Sequence, residues 1–183
     1  MSEYKVASRY AKSLIDISKE QNTIEVILGD ITLFQQTVKS SIALQSLLKN
    51  PVVNSGDKIA ILHKLFDKSF NKTTMAFFDI VVRKKRANVL SVIAETFVEQ
   101  YNILNNIIEA TVKTAQPIDA SVTAEIIEFI AKQSGKKVVL KTVISPALIG
   151  GLVIQIGDNL YDASISGRIN KIKQNLLNTY ISK

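Results

Sequence analysis

In the first half of the chain, apolar residues recur at helical spacing. Ile24, Ile27, Leu28, Ile31, Phe34 and Val38 fall three and four positions apart, which predicts a helix from Thr23 to Lys39. The same rhythm predicts helices over Glu3–Lys19, over Ile42–Lys49, from Ser55 through Ile59, Leu62, Leu65 and Phe66, and over Thr73–Arg83. A sixth spans Ala87–Asn105, with Leu90, Ile93, Phe97, Tyr101 and Leu104 on one stripe. Ser41 and Ser55 are candidate N-caps, and Asn50-Pro51 stops the third segment. Six helices with short connections predict an α-helical bundle.

After Asn106 the period changes. Ile107–Ala115 is rich in β-branched residues and predicts a strand that Pro117 ends. Ser121–Gln133 predicts a helix with Val122, Ile126, Ile127 and Ile130 inward and Gly135 as its stop. Lys137–Ile144 predicts a strand with Val138, Leu140 and Val143 as its apolar positions. Leu152–Ile156 predicts another, paired as a hairpin with Leu160–Ala163 across the turn Gly157-Asp158-Asn159. A final helix over Ser166–Ile181 is built on Ile169, Ile172, Leu176 and Tyr180. The expected class is α+β: an N-terminal six-helix bundle over residues 1–105, then a smaller C-terminal α/β domain over residues 106–183 with a short sheet and two helices.

Composition agrees with this division. With 183 residues and 46% hydrophobic content, the chain can build one good core or two small ones. It has no cysteine, which excludes disulfides, thiolate metal sites and cysteine nucleophiles. Glu3 comes early and no apolar leader follows it. The apolar run Pro146–Ile156 falls short of the ~20 residues that span a bilayer. A soluble, cytoplasmic protein is expected, one that reaches a membrane only through partners. The net charge of +7 admits a nucleic acid, an anionic membrane surface or an acidic protein as partner. The charges are scattered, however. The tight cluster Arg83-Lys84-Lys85-Arg86 reads first as a solvated turn between helices and second as a polyanion contact.

Catalysis needs convergent polar groups, and few are on offer. His63, the single histidine, sits between Leu62 and Leu65 and reads as a helix-flank residue. No Asp/Glu cluster has ligand spacing and no phosphate-binding glycine motif occurs, so neither metal nor cofactor is expected. Gly150-Gly151 is too short to cradle a phosphate and reads as a close backbone approach at a strand start. Asp158 reads as a turn residue, and Asp162 as a local hydrogen-bonding or partner contact rather than a catalytic acid.

Surplus apolar surface is more telling. At 100° per residue, Val6, Ala7, Tyr10, Ala11, Leu14, Ile15 and Ile17 cover roughly 180° of the first helix, wider than the ~100° a bundle helix needs. Val6, Tyr10 and Ile17 lie at one edge, beside Ser13. Either the helix is deeply buried, or one edge faces the core and the other a second protein. The fifth helix is apolar almost all round: Met75, Ala76, Phe77, Phe78, Ile80, Val81 and Val82 leave only Asp79 and Arg83 as a polar strip. Ala76 and Ile80 border that strip, where a groove could accept an amphipathic partner helix.

Several segments resemble one family in order and spacing. Val6-Ala7-Ser8-Arg9-Tyr10-Ala11-Lys12-Ser13-Leu14 resembles the A-x-x-Y-A-x-A-L opening of ATP synthase delta subunits and of the mitochondrial oligomycin-sensitivity-conferring protein. Leu48-Lys49-Asn50-Pro51-Val52-Val53, with Lys58 and Ile61-Leu62, is similar to that family's L-x-N-P-x-V…K…L element. Arg86 with Leu90, and Val112 with Ala115, match further positions. The most specific match is Ile149-Gly150-Gly151-Leu152-Val153-Ile154-Gln155-Ile156-Gly157-Asp158 followed by Asp162-Ala163-Ser164-Ile165, similar to G-G-x-x-I-x-I-G-D-x-x-x-D-x-S. Ser13 stands where Ala is usual, and Ser166-Gly167 replaces a more basic stretch.

The resemblance implies a non-catalytic stator subunit at the cytoplasmic face of a bacterial plasma membrane. Its N-terminal domain would bind the N-terminal helix of the alpha subunit, and its C-terminal domain the b subunits of the peripheral stalk. The implied alpha-subunit contacts are Val6, Tyr10, Ser13, Leu14, Ile17, Ala76, Asp79, Ile80 and Arg83. The implied b-subunit contacts are Asp162, Arg168, Lys171 and Ile172. The competing reading is a basic helical nucleic-acid-binding accessory protein, supported by charge alone.

Overall fold

A computed structural model describes residues 3–157 and 159–181, with side chains described through residue 174. Among them, six α-helices precede the first strand: α1 (Glu3–Glu20), α2 (Ile24–Ser40), α3 (Ile42–Lys49), α4 (Ser55–Phe66), α5 (Lys72–Arg83) and α6 (Leu90–Leu104). There follow β1 (Ile107–Thr114), α7 (Ala120–Ser134), β2 (Lys137–Ile144), β3 (Leu152–Ile156), β4 (Asn159–Asp162) and α8 (Ile165–Ile181). The class is α+β. The chain divides into two compact units, Met1–Tyr101 and Asn102–Lys183.

The first unit is organised by phenylalanines at helical spacing. Phe34 of α2 meets Phe66 of α4 at 5.8 Å and Phe78 of α5 at 4.8 Å between ring centroids, both edge-on. Phe70 stacks on Phe66 at 4.5 Å. Ala7 and Ala11 let α1 approach this core closely, and Leu14 and Ile15 continue the same face. In the second unit, β1 pairs parallel with β2 in the register Ile107↔Lys137, with α7 as the crossover, and antiparallel with β3 through Val112↔Ile154. Strand β3 pairs antiparallel with β4, giving the order β2-β1-β3-β4. Ile126 and Ile130 of α7 cover Ala110, Val112 and Ile154 on one sheet face.

Several boundaries and faces differ from the sequence expectation. The cap of α4 is Asn54, whose Oδ1 accepts from the Asp57 amide at 2.9 Å, while the Ser55 hydroxyl donates to the Val82 carbonyl. The expected sixth helix opens as a 3-10 turn over Ala87–Val89 before α6 begins. Leu65, Leu104 and Val122 are exposed rather than inward, because each apolar stripe is wider than the surface packed against it. Val143 is likewise exposed on β2. Ile169 and Ile172 are exposed on α8, whereas Leu176 and Tyr180 lie outside the described side chains. The turn role expected of Asp158 also lies outside the described residues. Ser41 does cap α3, accepting from Leu44 at 3.2 Å, and Gly135 closes α7 at φ +65°.

Candidate functional site

Helix α5 is anchored from below. The buried Asp30 carboxylate on α2 accepts from the Asn71 amide at 2.8 Å and from the Thr74 hydroxyl at 2.6 Å, satisfying donors at the start of α5. Asn71 itself caps the helix by accepting from Thr73. Thr74, Met75, Phe77, Phe78, Val81 and Val82 are buried. Beyond the exposed Lys72 and half-buried Thr73 of its first turn, α5 leaves outside one strip at i, i+3, i+4 and i+7 spacing: Ala76, Asp79, Ile80 and Arg83. Ile80 is 54% exposed, unusual for an isoleucine in the middle of a helix whose other large apolar residues are enclosed.

Helix α1 presents the neighbouring edge. Val6, Tyr10 and Ile17 are half-buried and Ser13 is exposed. Leu14 is fully buried in the core, so the expectation that it touches a partner is corrected. It lies on the side of the arc that faces inward, one turn beyond Tyr10 but over Ala7 and Ala11 rather than beside Ser13. The Tyr10 ring stands edge-on to Phe77 at 6.2 Å, which ties α1 to α5. Its hydroxyl accepts from Arg86 Nη1 at 3.1 Å, and the guanidinium carbon lies 5.6 Å from the ring centroid.

Val6, Tyr10 and Ser13 come together with Arg9 and Arg86 around a recess of about 320 Å³. Ile17, Ala76, Asp79, Ile80 and Arg83 do not line it. The two arginines were not among the expected contacts, although Arg86 stood in the basic cluster and at a family position. All four residues of that cluster are exposed, as a solvated turn requires. Asp79 is not free for a partner's charge: His63 Nε2 lies 3.1 Å from its Oδ1, and His63 Nδ1 lies 3.3 Å from Asp67 Oδ1. The hydrogen bond to Asp79, opposed by desolvation, leads the effects that raise the imidazole above its ordinary value.

In the second unit, Asp162 Oδ1 accepts from the Ser164 amide at 2.8 Å. Hydrogen bonds from Ser164, side chain first and backbone second, hold this carboxyl below the usual range. The Ser164 hydroxyl accepts from the Gly167 amide at 3.0 Å, so Asp162 and Ser164 together shape the entry to α8. Arg168 is exposed on α8, and Lys171 and Ile172 are exposed one turn further on. Ile165, Ile169 and Ile172 form an exposed apolar stripe beside them, each at least 45% accessible. No helix among the described residues is long and apolar enough to cross a membrane, and no group of three or more His, Asp or Glu is placed to hold a metal ion. What these surfaces offer is apolar contact edged with charge, the chemistry of a binding face.

The comparisons with known proteins bear on what is bound. The family model described as ATP synthase delta (OSCP) subunit matches residues 6–176. The ATP synthase subunit delta of Christiangramia forsetii is 34% identical over 98% of this chain and 97% of its own length. That of Flavobacterium psychrophilum is 32% identical over 97% of this chain and all of its own length. The fold is also similar to a chain in the Toxoplasma gondii mitochondrial ATP synthase hexamer, with a TM-score of 0.71 at 22% identity, covering 93% of this chain and 97% of that one. None of these supports the nucleic-acid reading. The chain belongs to the ATP synthase delta (OSCP) subunit family, whose members are stator components of F-type ATP synthases.

Proposed function

We propose that the chain is a non-catalytic clamp. Its helical N-terminal bundle, residues 1–105, holds the N-terminal helix of an alpha subunit, and its C-terminal domain, residues 106–183, holds the C-terminal ends of the peripheral-stalk b subunits. The complex would sit at the cytoplasmic face of a bacterial plasma membrane, with this chain peripheral to it. The observation that carries the reading is the exposed Ala76–Ile80 strip of α5 beside the half-buried Val6, Tyr10 and Ile17 of α1. An amphipathic helix laid there would cover apolar surface that the chain leaves open. Ser13 leaves space for close approach, and Arg83 and Arg86 favour a carboxylate on the incoming helix. Asp162, Arg168, Lys171 and Ile172 are the proposed contacts for the b subunits. Torque resistance then comes from two modest interfaces linked in one chain, each raising the effective concentration of the other.

Each apolar side chain buried on docking contributes about 1.5–3 kcal/mol before association costs. The test is calorimetric titration of the full chain with a synthetic peptide from the start of the cognate alpha subunit. Tyr10→Asp and Ile80→Asp are each expected to weaken binding by roughly tenfold or more, since a tenfold loss needs only about 1.4 kcal/mol. Unchanged affinity in both variants would remove the α1/α5 face from the reading.

A further inference from the structure

Pro51, Val52, Val53 and Lys58 have no part in the docking face, yet they line a recess of about 570 Å³ in the first unit. It is bounded by the end of α3, the loop that follows, the start of α4 and the turn after α5. Three lysines line it: Lys49, Lys58 and Lys85. Among the described residues, no Asp or Glu does.

Lys58 is the unusual member. It is 93% enclosed, with 7% of its surface accessible, and its ammonium donates to the Leu48 carbonyl at 3.1 Å and the Asn50 carbonyl at 2.7 Å. Those carbonyls terminate α3, so part of its role is to cap that helix. Carbonyl dipoles do not neutralise a buried charge, however, and no described carboxylate forms an ion pair with it. An ammonium has three donors, and two are used. Lys85 adds a second oddity. It holds φ +59°, in the left-handed position that closes α5 and where glycine is favoured. A side chain kept at that backbone cost lines the same recess.

The uncharged groups there are already engaged. The Asn54 amide donates to Asp57, the Ser55 hydroxyl donates to Val82, and the Asn88 amide donates to Glu3. The lysines are therefore the groups left to recognise a ligand. The beginning of α4 faces the same space through Asn54 and Ser55, but its Asn54 cap and the Asp57 carboxylate of its first turn already offset that helix end, so the lysines carry the attraction. We propose that this recess binds a small oxyanion with the charge of inorganic phosphate, held by Lys58, Lys85 and Lys49. Ammonium groups act as point charges and demand no fixed bidentate geometry, so several of them around one space suit a compact dianion better than a single carboxylate.

The test is titration of the full chain with inorganic phosphate at constant ionic strength, followed by calorimetry and by melting temperature, with sodium chloride and sodium acetate as parallel arms. Saturable phosphate binding is expected, with a melting temperature that rises with phosphate and not with chloride. Lys58→Met should abolish binding. Because that variant also loses the α3 cap and could fail to fold, Lys49→Gln combined with Lys85→Gln provides the second arm. Both side chains are exposed, so the double variant should fold normally and bind roughly tenfold more weakly. Three results would each overturn the proposal: no saturable binding, equal response to chloride, or full phosphate affinity in the double variant. Acetate binding as tight as phosphate would overturn the assignment of a dianion.

Discussion

The two units solve the same problem with unequal means. Among the described residues, the first encloses a continuous cluster running from Ala7 to Phe97, with four mutually packed phenylalanines, Phe34, Phe66, Phe70 and Phe78, in its middle. The second encloses a cluster of Ala110, Val112, Ile126, Ile130 and Ile154, with Val153 buried apart from it and Ile108, Ile118, Val138, Leu140, Leu152 and Ile156 only partly covered. It leaves Phe129, Val139, Leu160, Tyr161, Ile165 and Ile169 open. The first unit also exposes apolar residues, but scattered over separate elements, among them Tyr4, Val26, Leu33, Ile42, Val52, Leu65 and Ile80. A unit with a thin core has less enclosed to offset such exposure and gains most from a partner.

The comparison breaks most directly by truncating one central side chain in each core. Phe34 is fully enclosed between Phe66 and Phe78, and Phe34→Ala should cost about 3–5 kcal/mol. Ile130 is 1% accessible but stands in a shallow cluster, where Ile130→Ala should fall near the lower end of the ~2–5 kcal/mol range. Chemical denaturation followed by circular dichroism measures both. An Ile130 loss as large as the Phe34 loss would mean that the second core is as demanding as the first.

A thin core can still contain one tight joint. Gly151 precedes β3 at φ +76°, and a Cβ there would collide with the Ala163 carbonyl oxygen. Gly151→Ala therefore combines a left-handed backbone with a backbone clash, and about 1–3 kcal/mol of destabilisation is expected. Gly135, at φ +65°, has nothing within 4 Å of the same added atom. Gly135→Ala carries only the conformational term of roughly 1 kcal/mol. Equal melting temperatures for the two variants would show that the Gly151 joint yields easily.

Periodicity made much of this legible. The stripes through Ile31, Phe34, Leu90, Ile93 and Phe97 needed no tertiary information, and all five residues are buried. The strip of α5 was readable because a helix apolar nearly all round leaves few places for an exposed residue. Leu14 was misplaced because a wide arc gives the extent of an apolar face without saying where its inner half ends. The cap of α4 was expected one residue late, at Ser55, because asparagine and serine are both good capping residues and here stand side by side. Other contacts left no local trace. Asp30 reaches Asn71 across 41 positions, and Arg86 reaches Tyr10 across 76. Such pairings depend on helix packing, which spacing along a single chain does not encode. The single histidine read as bland for the same reason, since its partner Asp79 lies on another helix.

That histidine gives the smallest effect and the finest contrast between the units. In the second unit, the ion pair found among the described residues joins Lys132 to Glu128 within α7 at 2.8 Å. In the first, His63 joins α4 to α5 through Asp79, with Asp67 on its other nitrogen. Because these bonds raise the imidazole above its unfolded value of about 6.5, the protonated form stabilises the fold. The contribution is full below pH ~6.5 and is lost as the pH rises through the higher folded value. With 36% of the His63 side chain accessible, solvent screening limits it to about 0.5 kcal/mol. His63→Gln keeps a hydrogen-bonding group but no charge. The stability gap between wild type and this variant should be widest below pH ~6.5 and should close with rising pH. Lys132→Gln should show no such trend across the same range, because lysine stays charged there. A His63→Gln gap that stays constant with pH would mean that the α4–α5 bridge acts as a neutral hydrogen bond.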